Sequence, residues 1–357
     1  MTASLPILWL ISQITQTPAG VSSSIASVRL RCLEIVHHWQ LEKTPINVQL
    51  HTYDNTHQLR HYIAKIQPKV IVVGKLFANL MDKDLTHMLL ELAQQGHTII
   101  MDVCDDIFLM AHHQKTYAPF LSAPLFWVAS SPTLQHKLQQ HVASVSPTDV
   151  YCITDPHEGQ QSPPQTLINS ELGTTPDQPV KLVWFGTAGN LQPLVPFLTA
   201  KQHRYIHMSI VSGFDKATHQ ALRTLQRDPK LQIELLPWSL YKQQIAIQHA
   251  HAAVIPCNTD PIGLAKTANR LMTSLWFGTP VIATPIPSYE PFAPYAFLNM
   301  DINAALEQLL QTPWTTLKKQ VCLGQDFIQQ HYSLSTIGNQ WHTTIQHIER
   351  LAPRNLL

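Results

Sequence analysis

The segment that decides the fold spans residues 236–289 and reads LPWSLYKQQIAIQHAHAAVIPCNTDPIGLAKTANRLMTSLWFGTPVIATPIPSY. An apolar run at 252–256 leads into a polar loop, and a helix is predicted to open around Ala265–Thr267, before Gly-Thr-Pro and a second apolar run. Lys266 and Arg270 lie four residues apart near this predicted helix start, so we expect them on one face. A helix N-terminus offers N–H groups without partners and a positive dipole end, which suit a phosphate or diphosphate. The alternative is a solvated charged face.

Length and charge limit the classes of protein that fit. At 357 residues the chain is longer than one typical domain core, which predicts two domains. Charged residues make up 13% of the chain and the formal net charge is +1, with no basic block. This balance argues against a nucleic-acid partner held by phosphate neutralisation.

The cysteines and the apolar runs indicate where the protein works. Five cysteines, an odd number without paired spacing, argue against a disulfide framework or a structural zinc site and favour a reducing, cytoplasmic compartment. The apolar run at 5–11 is too short to span a bilayer and has no basic flank, so we interpret it as the first buried strand. No other run approaches about 18 residues, so we expect a soluble protein with at most peripheral membrane association.

Apolar runs alternate with helical patterns along the whole chain, which predicts parallel βαβ units with helices on both faces of each sheet. The predicted strands of the first half are 7–11, 48–52, 70–73, 98–101, 125–129 and 150–153. Those of the second half are 181–185, 207–211, 232–235, 252–255, 281–283 and 296–298. Periodic stretches at 26–40, 57–66, 84–95, 314–330 and 335–351 are the predicted helices.

A stretch rich in Pro, Ser, Thr and Gln separates the two halves and predicts a linker. We therefore predict an α/β protein of two doubly wound, Rossmann-like domains facing a cleft, with C-terminal helices. The predicted boundaries are 1–156 for the first domain, 157–178 for the linker, 179–334 for the second domain, and 335–357 for a helix packing back on the first domain. Ligand is expected at the carboxyl ends of the strands.

Residues 266–271 read Lys-Thr-Ala-Asn-Arg-Leu and are followed by Trp-Phe-Gly-Thr-Pro-Val-Ile-Ala-Thr and Pro-Ser-Tyr. This segment resembles the nucleotide-sugar segment of GT-B glycosyltransferases, most closely a bacterial branch with a Lys-Ser-x-Asn-Arg pattern. The resemblance implies a retaining enzyme whose donor binds to Lys266, Thr267, Asn269 and Arg270. It also implies that 1–156 is the acceptor domain and 179–334 the nucleotide-sugar-binding domain. Lys266 would meet a phosphate as a point charge, whereas Arg270 could hold two oxygens.

The sequence departs from the wider retaining superfamily in the acids of this segment. Relatives carry two glutamates on the helix, one on the donor sugar and one on the ribose. Here Asp260 is the only acid of the loop, and Thr273 stands about where the ribose glutamate is expected. Asp260 and Gly263 are included in the predicted donor-binding set.

Two further segments of the second half are similar to donor-binding parts of the same family. Gly186 and Thr187 follow the first strand, where small residues let backbone N–H groups approach a phosphate. A structural turn is the alternative reading. Trp238 lies where relatives position the nucleotide base and could stack on it. Its alternative role is core packing.

In the first half, a Gly/Ser loop precedes a Ser-x-Arg-x-Arg pattern formed by Ser27, Arg29 and Arg31. The resemblance extends to this pattern, and either arginine could reach an acceptor or donor phosphate. The alternative for one of them is a surface ion pair.

Three carboxylates, Asp102, Asp105 and Asp106, follow a predicted buried strand. We predict them as catalytic residues, because carboxylates at a strand end could activate an acceptor hydroxyl as general base. Capping of the next helix is the structural alternative. Asp155, after the last strand of the first half, is interpreted as lining a hinge.

Together these patterns predict a cytoplasmic bacterial glycosyltransferase of polysaccharide biosynthesis, with a nucleotide diphosphate sugar as co-substrate. It would use no cofactor or metal, and the acceptor would be a glycan, a lipid-linked glycan or a protein. Two alternatives stay open: a non-catalytic GT-B protein that binds a nucleotide or glycan, and a nucleotide-sugar epimerase.

Overall fold

A computed structural model describes residues 5–17, 20–109, 111–142, 150–165, 167–225 and 228–351 of the chain. The chain divides into two compact units. The first comprises Met1–Pro156, Ala265–Thr267 and Tyr332–Leu357, and the second comprises His157–Leu264 and Ala268–His331. The short segment Ala265–Thr267 therefore belongs to the first unit, although both of its chain neighbours belong to the second.

The first unit begins with strands and helices in alternation. Its strands are β1 (Leu5–Ile11), β2 (Thr15–Thr17), β3 (Gly20–Ser22), β4 (Ile46–Thr52), β5 (Val70–Val73), β6 (Thr98–Val103), β7 (Phe126–Ala129) and β8 (Val150–Cys152). Its helices before the second unit are α1 (Ala26–Val28), α2 (Glu34–Leu41), α3 (Thr56–Ile66), α4 (Leu85–Gln94), α5 (Ala111–Leu121) and α6 (Pro132–Val142). A π-helical turn, Arg29–Leu33, joins α1 to α2.

In the described part of the first unit, six strands form one parallel sheet in the order β4-β1-β5-β6-β7-β8. Its inner strands β5 and β6 are buried along their whole length, as expected for parallel strands covered on both faces. The order reverses between β1 and β5, and such a switch point opens a crevice at the carboxyl ends of the strands. β2 and β3 pair separately as an antiparallel hairpin.

The second unit repeats this plan. Its strands are β9 (Val180–Phe185), β10 (Ile206–Ser212), β11 (Leu231–Pro237), β12 (Ala252–Ile255), β13 (Val281–Ala283) and β14 (Phe297–Leu298). Its helices are α7 (Val195–Thr199), α8 (Lys216–Leu225), α9 (Leu240–His249), α10 (Pro261–Leu264), α11 (Asn269–Trp276), α12 (Ile302–Gln311) and α13 (Trp314–Tyr332). Short 3₁₀ turns lie at Ala188–Asn190, Gln192–Leu194 and Pro287–Phe292.

Within the described residues of the second unit, the parallel sheet has the order β11-β10-β9-β12-β13-β14. Its switch point lies between β9 and β12. Polar side chains begin several of its helices: Ser239 accepts a hydrogen bond from the Lys242 amide before α9, and Asp301 accepts from the Asn303 and Ala304 amides before α12. Such caps satisfy N–H groups that have no partner inside the helix.

The last helix, α14 (Leu334–Leu351), belongs to the first unit. Its buried Trp341 lies against Trp9 of β1, with ring centroids 5.0 Å apart. The indole N–H of Trp39 in α2 donates to the Gly338 carbonyl at 3.2 Å. This helix thus completes the core of the first unit from the far end of the chain. Residues 352–357 of the predicted C-terminal segment lie outside the described residues.

The predicted fold class is confirmed: two parallel α/β sheets with helices, and helices at the C-terminal end. The hairpin of β2 and β3 was not predicted, because three-residue strands carry too little apolar alternation to be recognised. The predicted linker contains no helix or strand in its described residues, and contacts assign His157 onward to the second unit. No described helix combines the length and the apolar character needed to cross a membrane.

Candidate functional site

The helix that carries Arg270 begins later than the sequence indicates. α11 starts at Asn269 after the cap residue Ala268, so Lys266 and Thr267 precede the helix. The expectation that Lys266 and Arg270 share a helix face is therefore wrong. The cause is tertiary: the Ser131 hydroxyl donates to the Ala265 carbonyl at 2.8 Å, which holds this segment in the first unit.

In the second unit, the Arg270 guanidinium lies at the carboxyl ends of β9 and β12. Its carbon is 5.9 Å from the centroid of the Trp184 ring, within the range of a cation–π contact. Its Nη2 donates to the Cys257 thiol at 3.5 Å, and Cys257 follows β12. The Cys257 sulfur is also 3.4 Å from the Tyr289 hydroxyl. These contacts orient the guanidinium and leave its other terminal nitrogen to a different partner.

Two buried donors of α11 have no such partner. The Asn269 Nδ2 and the Arg270 Nη1 are enclosed, and neither has a hydrogen-bond acceptor among the described residues. A buried donor without an acceptor costs about 1–3 kcal/mol, and more for a charged group. Both residues belong to the first turn of α11, where the N–H groups and the helix dipole favour an anion.

The loop after β9 passes close to the Arg270 guanidinium. Gly186 has a φ of +150°, a conformation that favours glycine. A Cβ at this position would lie 3.6 Å from the Arg270 Nη1, so the bare backbone passes close to the guanidinium. Thr187 is exposed and its hydroxyl accepts a hydrogen bond from the Asn190 side chain at 3.0 Å. Gly186 and Arg270 thus form one cluster, with Thr187 at its edge.

Trp238 lies beyond the end of β11, and its amide donates to the Ser212 carbonyl of β10 at 2.9 Å. Its indole N–H donates to the Gln243 side chain at 2.8 Å, and the ring is half-buried. The Trp238 ring therefore lies beside the carboxyl end of the second sheet.

Two predicted donor residues of the preceding loop have structural roles. Asp260 accepts a hydrogen bond from the Gly263 amide at 2.7 Å, which caps the short helix α10. A Cβ on Gly263 would lie 1.9 Å from the Asn258 carbonyl oxygen, so only glycine fits there. Thr273, the position of the expected ribose glutamate, is 1% exposed and faces the protein interior.

In the first unit, Arg31 lies in a buried ion network rather than on a surface. Its Nε donates to both Asp102 oxygens at 2.9 and 3.0 Å, and its Nη2 contacts Asp102 at 2.6 Å. Its Nη1 donates to the Ile153 carbonyl at 2.8 Å and to Asp155 at 3.1 Å. Burial lowers the pKa of Arg31, but Asp102 and Asp155 raise it by more, so the guanidinium stays charged. These contacts use four of its five N–H donors, and the side chain is 1% exposed, so Arg31 is poorly placed to bind a ligand phosphate.

Asp105 is held by two lysines. Its carboxylate contacts Lys75 and accepts from the Lys266 ammonium at 2.6 Å. Burial raises the pKa of Asp105, but Lys266 and Lys75 lower it by more, to about 2. The side chains of Asp105, Lys75 and Lys266 are 15%, 18% and 34% exposed. We name these three residues the lysine–aspartate triad.

The other predicted residues of the first unit have separate surroundings. Asp106 pairs with Lys137 and accepts from the Phe108 amide at 3.0 Å, a turn-capping role, and its side chain is 1% exposed. Arg29 is buried and its Nη1 donates to the Ser23 carbonyl at 3.2 Å, while Ser27 is half-buried on α1. Hence Asp105 is the one member of the three predicted catalytic carboxylates that keeps appreciable exposure.

Thr267 and Lys75 also belong to the carboxyl edge of the first sheet. The Thr267 hydroxyl donates to Asp155 at 2.8 Å. Lys75 was missed from the sequence, although Gly74 and Lys75 directly follow the buried strand β5, a position where ligand groups occur in parallel sheets. Within the described residues, no group of three or more His, Cys, Asp or Glu side chains is arranged to hold a metal ion.

No known family profile matches the sequence, and no curated protein matches it. Solved structures match over nearly the whole chain. The structure of Anabaena Alr3699/HepE in complex with UDP and glucose has a TM-score of 0.63 at 14% identity, covering 96% of this chain and 99% of that one. Sucrose-phosphate synthase from Thermosynechococcus elongatus has a TM-score of 0.64 at 14% identity, covering 97% and 99%. AviGT4, a glycosyltransferase involved in avilamycin A biosynthesis, has a TM-score of 0.56 at 10% identity, covering 97% and 99%.

These structural neighbours are GT-B glycosyltransferases. At identities of 10–14%, the likeness shows that this chain has their fold.

Proposed function

We propose that this chain is a glycosyltransferase that binds a nucleotide diphosphate sugar on its second unit and transfers the sugar to a glycan, a lipid-linked glycan or a protein. The observation that carries the proposal is the pair of buried donors without acceptors, Asn269 Nδ2 and Arg270 Nη1, beside the glycine turn at Gly186. A diphosphate supplies oxygens for both donors. The bound structures and names of the neighbours, which include UDP with glucose and two sugar-transfer enzymes, agree with this assignment.

The chemistry assigned to the second unit is electrostatic. As the bond to the sugar breaks, negative charge grows on the departing diphosphate. The Arg270 guanidinium, the Asn269 amide and the first N–H groups of α11 are fixed before the reaction, so they stabilise this charge without reorganising. A hydrogen bond to a charged group contributes about 1.5–3 kcal/mol. We assign Trp238 to stacking on the nucleobase of the donor.

The first unit supplies Asp105 to the acceptor. A general base works best with a pKa near the working pH, and the pKa of Asp105 is about 2. We therefore assign Asp105 to orienting an acceptor hydroxyl rather than to removing its proton. Asp102 and Asp106 are assigned a structural role at the end of β6. Both are buried, and each forms an ion pair, Asp102 with Arg31 and Asp106 with Lys137.

The finer parts of the proposal follow the sequence resemblance. Retention of configuration is proposed because the segment containing Lys266 and Arg270 resembles that of retaining enzymes, and NMR of the product's anomeric proton tests it. A bacterial enzyme of polysaccharide biosynthesis in the cytoplasm is proposed as the setting. The five free thiols suit such a reducing compartment.

A nucleotide screen tests the donor site. UDP, GDP, ADP and TDP are each added to the protein, and the melting temperature is measured. A ligand at 100 times its dissociation constant adds about 2.7 kcal/mol of stability. We expect one diphosphate to stabilise the wild type, and Arg270→Ala and Asn269→Ala to lose most of that shift. Arg60→Ala is the matched control, because Arg60 is 46% exposed and pairs only at the surface with Glu91.

The proposal fails if no diphosphate stabilises the wild type, or if Arg270→Ala keeps the full shift. Turnover with the matching nucleotide sugar then separates the classes of function. Acceptor-dependent release of the nucleotide supports transfer. Binding without turnover for every acceptor would instead indicate a non-catalytic binding protein, and release without acceptor together with a rearranged sugar would indicate an epimerase.

A further inference from the structure

We propose that the acceptor carries a phosphate group, and that the first unit binds this phosphate with the ammonium groups of Lys75 and Lys266. The inference rests on the proposed function, since only a transferase needs an acceptor. It concerns the lysine–aspartate triad. Lys75, one of its members, has no role in the proposed donor site.

The charges of the triad do not balance. Two ammonium groups share the single carboxylate of Asp105, so the triad carries one net positive charge. The Arg31 network has the opposite excess, since Arg31 faces both Asp102 and Asp155. Those two carboxylates are buried, with side chains 4% and 10% exposed, whereas Lys75 and Lys266 are 18% and 34% exposed.

The accessible charge around Asp105 is therefore positive. Asp106 does not offset it, because its carboxylate is buried on Lys137. Each lysine ammonium has three N–H donors and spends one on Asp105. A phosphate bound beside Asp105 would accept from the remaining N–H donors of both ammonium groups. Lysine is a common phosphate ligand and acts there as a point charge.

The Lys75 loop is held in place by two tyrosine hydroxyls. The Tyr53 hydroxyl donates to the Lys75 carbonyl at 2.8 Å and accepts from the Phe77 amide at 3.0 Å. The Tyr117 hydroxyl accepts from the Leu76 amide at 2.9 Å. Both tyrosines are buried, so the loop is fixed from inside the unit. A loop fixed in this way loses little entropy when it binds a ligand.

The Lys266 backbone is fixed independently. Ser131 donates to the Ala265 carbonyl and Thr267 donates to Asp155, each at 2.8 Å. Both ammonium groups are thus attached to rigid backbone, on either side of Asp105.

The position in the sheet is also one where ligands bind. Lys75 follows β5, directly beside β1, where the strand order of the first unit reverses. The Gly74 amide donates to the Leu10 carbonyl at 2.9 Å, and a Cβ on Gly74 would approach that oxygen to 3.1 Å. The chain therefore turns closely over the end of β1 and presents Lys75 at the switch point.

Calorimetry with three probes tests the inference: inorganic phosphate, glucose 6-phosphate and glucose. All titrations use protein carrying Arg270→Ala, so that the donor site does not bind the phosphate. We expect this protein to bind the two phosphate-containing probes more tightly than glucose. Lys75→Gln and Lys266→Gln should each weaken phosphate binding about tenfold or more, which corresponds to about 1.4 kcal/mol. Lys75→Arg should retain it.

Lys69→Gln is the matched control, since Lys69 is 66% exposed and reaches only Glu349. Lys75→Gln leaves Asp105 paired with Lys266, and a melting curve checks that the variant is folded. Equal phosphate affinity with and without Lys75→Gln, or no phosphate binding at all, overturns the inference. Nucleoside diphosphate binding by protein with Arg270 intact is measured in parallel. If protein with Arg270 intact binds no nucleoside diphosphate, the proposed function fails and the acceptor role of the phosphate site fails with it. If it binds the diphosphate but Lys75→Gln leaves phosphate affinity unchanged, only the acceptor inference fails.

Discussion

The carboxyl edges of the two sheets differ in how their charged groups are satisfied. In the first unit, Arg31 is matched by Asp102 and Asp155, and Asp105 lies between two lysines. In the second unit, Arg270 contacts a thiol and an aromatic face, and its Nη1 has no acceptor among the described residues.

From this difference we infer that Arg31 stabilises the fold, whereas Arg270 binds a ligand. Removing a buried cation that is paired with carboxylates destabilises the protein, because the carboxylates are then buried without a counter-charge in a medium that solvates them poorly. A buried donor without an acceptor destabilises the free protein, and a ligand that accepts the hydrogen bond removes this penalty. Mutations at Arg31 and Arg270 should therefore have opposite signatures: the first changes stability, and the second changes ligand affinity.

The largest effect is expected for Arg31→Met. It leaves Asp102 and Asp155 buried without their cation, and breaking such a pair costs about 3–5 kcal/mol of unfolding free energy. Urea denaturation measures the change. The surface variant Arg60→Ala should change stability little, because exposed ion pairs contribute little. Equal midpoints for Arg31→Met and wild type would show that the network does not hold the first unit.

Gly263→Ala tests whether a predicted ligand residue is in fact structural. The added Cβ would lie 1.9 Å from the Asn258 carbonyl, so the loop must shift, at a cost of about 1–3 kcal/mol. Gly189→Ala is the control in the same unit, since no atom lies within 4 Å of its added Cβ. Thermal melting compares the two. A loss of nucleotide affinity at unchanged stability would restore Gly263 to the donor site.

Mild acid should weaken the second unit, in which burial lowers the pKa of two histidines, His157 and His251, to about 4. Burial, with a smaller effect of Lys181, lowers the pKa of His251 to about 4, and its Nδ1 accepts from the Lys181 amide at 2.8 Å. Because unfolded histidine titrates near 6.5, the unfolded chain takes up the proton first as the pH falls. The contribution of neutral His251 is therefore complete above about pH 6.5 and is lost on the way to pH 4.

At pH 5 this loss amounts to about 2 kcal/mol. Urea denaturation from pH 7 to pH 5 measures it. His251→Gln should reduce the slope without removing it, because burial also lowers the pKa of His157 to about 4, whereas His87→Gln, at an exposed position, should leave the slope unchanged. Asp105 titrates at lower pH than His251. Its pKa of about 2 lies below that of an unfolded aspartate, so its contribution to the free energy of unfolding persists until the pH falls below about 4. A slope unchanged by His251→Gln would refute the assignment.

The sequence predicted the sheets well, because buried parallel strands are continuous apolar runs that need no partner to be recognised. β5, β12 and β13 have the predicted bounds, and most other strands extend them by one or two residues. The start of α11 was not predictable in the same way. Residues 265–267 are held by Ser131, Asp105 and Asp155, which lie more than 100 positions away in the chain.

The same limit applies to the charged residues of the site. Arg31 and Asp102 are 71 positions apart, and neither carries a local signal that they neutralise each other. The signal that marks Arg270 is local: a cation in the first turn of a helix that follows a buried strand and a glycine-containing loop. Lys75 had a local signal as well, a Gly-Lys pair at the end of a strand.

The central claim is that Arg270 binds a diphosphate, and a thermodynamic cycle tests it most directly. Calorimetry compares wild type and Arg270→Ala, each titrated with the stabilising nucleoside diphosphate and with its monophosphate. If Arg270 contacts the diphosphate, the substitution should weaken the diphosphate about 10- to 100-fold and bring its affinity close to that of the monophosphate, a coupling of about 1.4–2.8 kcal/mol. An equal loss for both nucleotides, or no loss for either, would contradict the account.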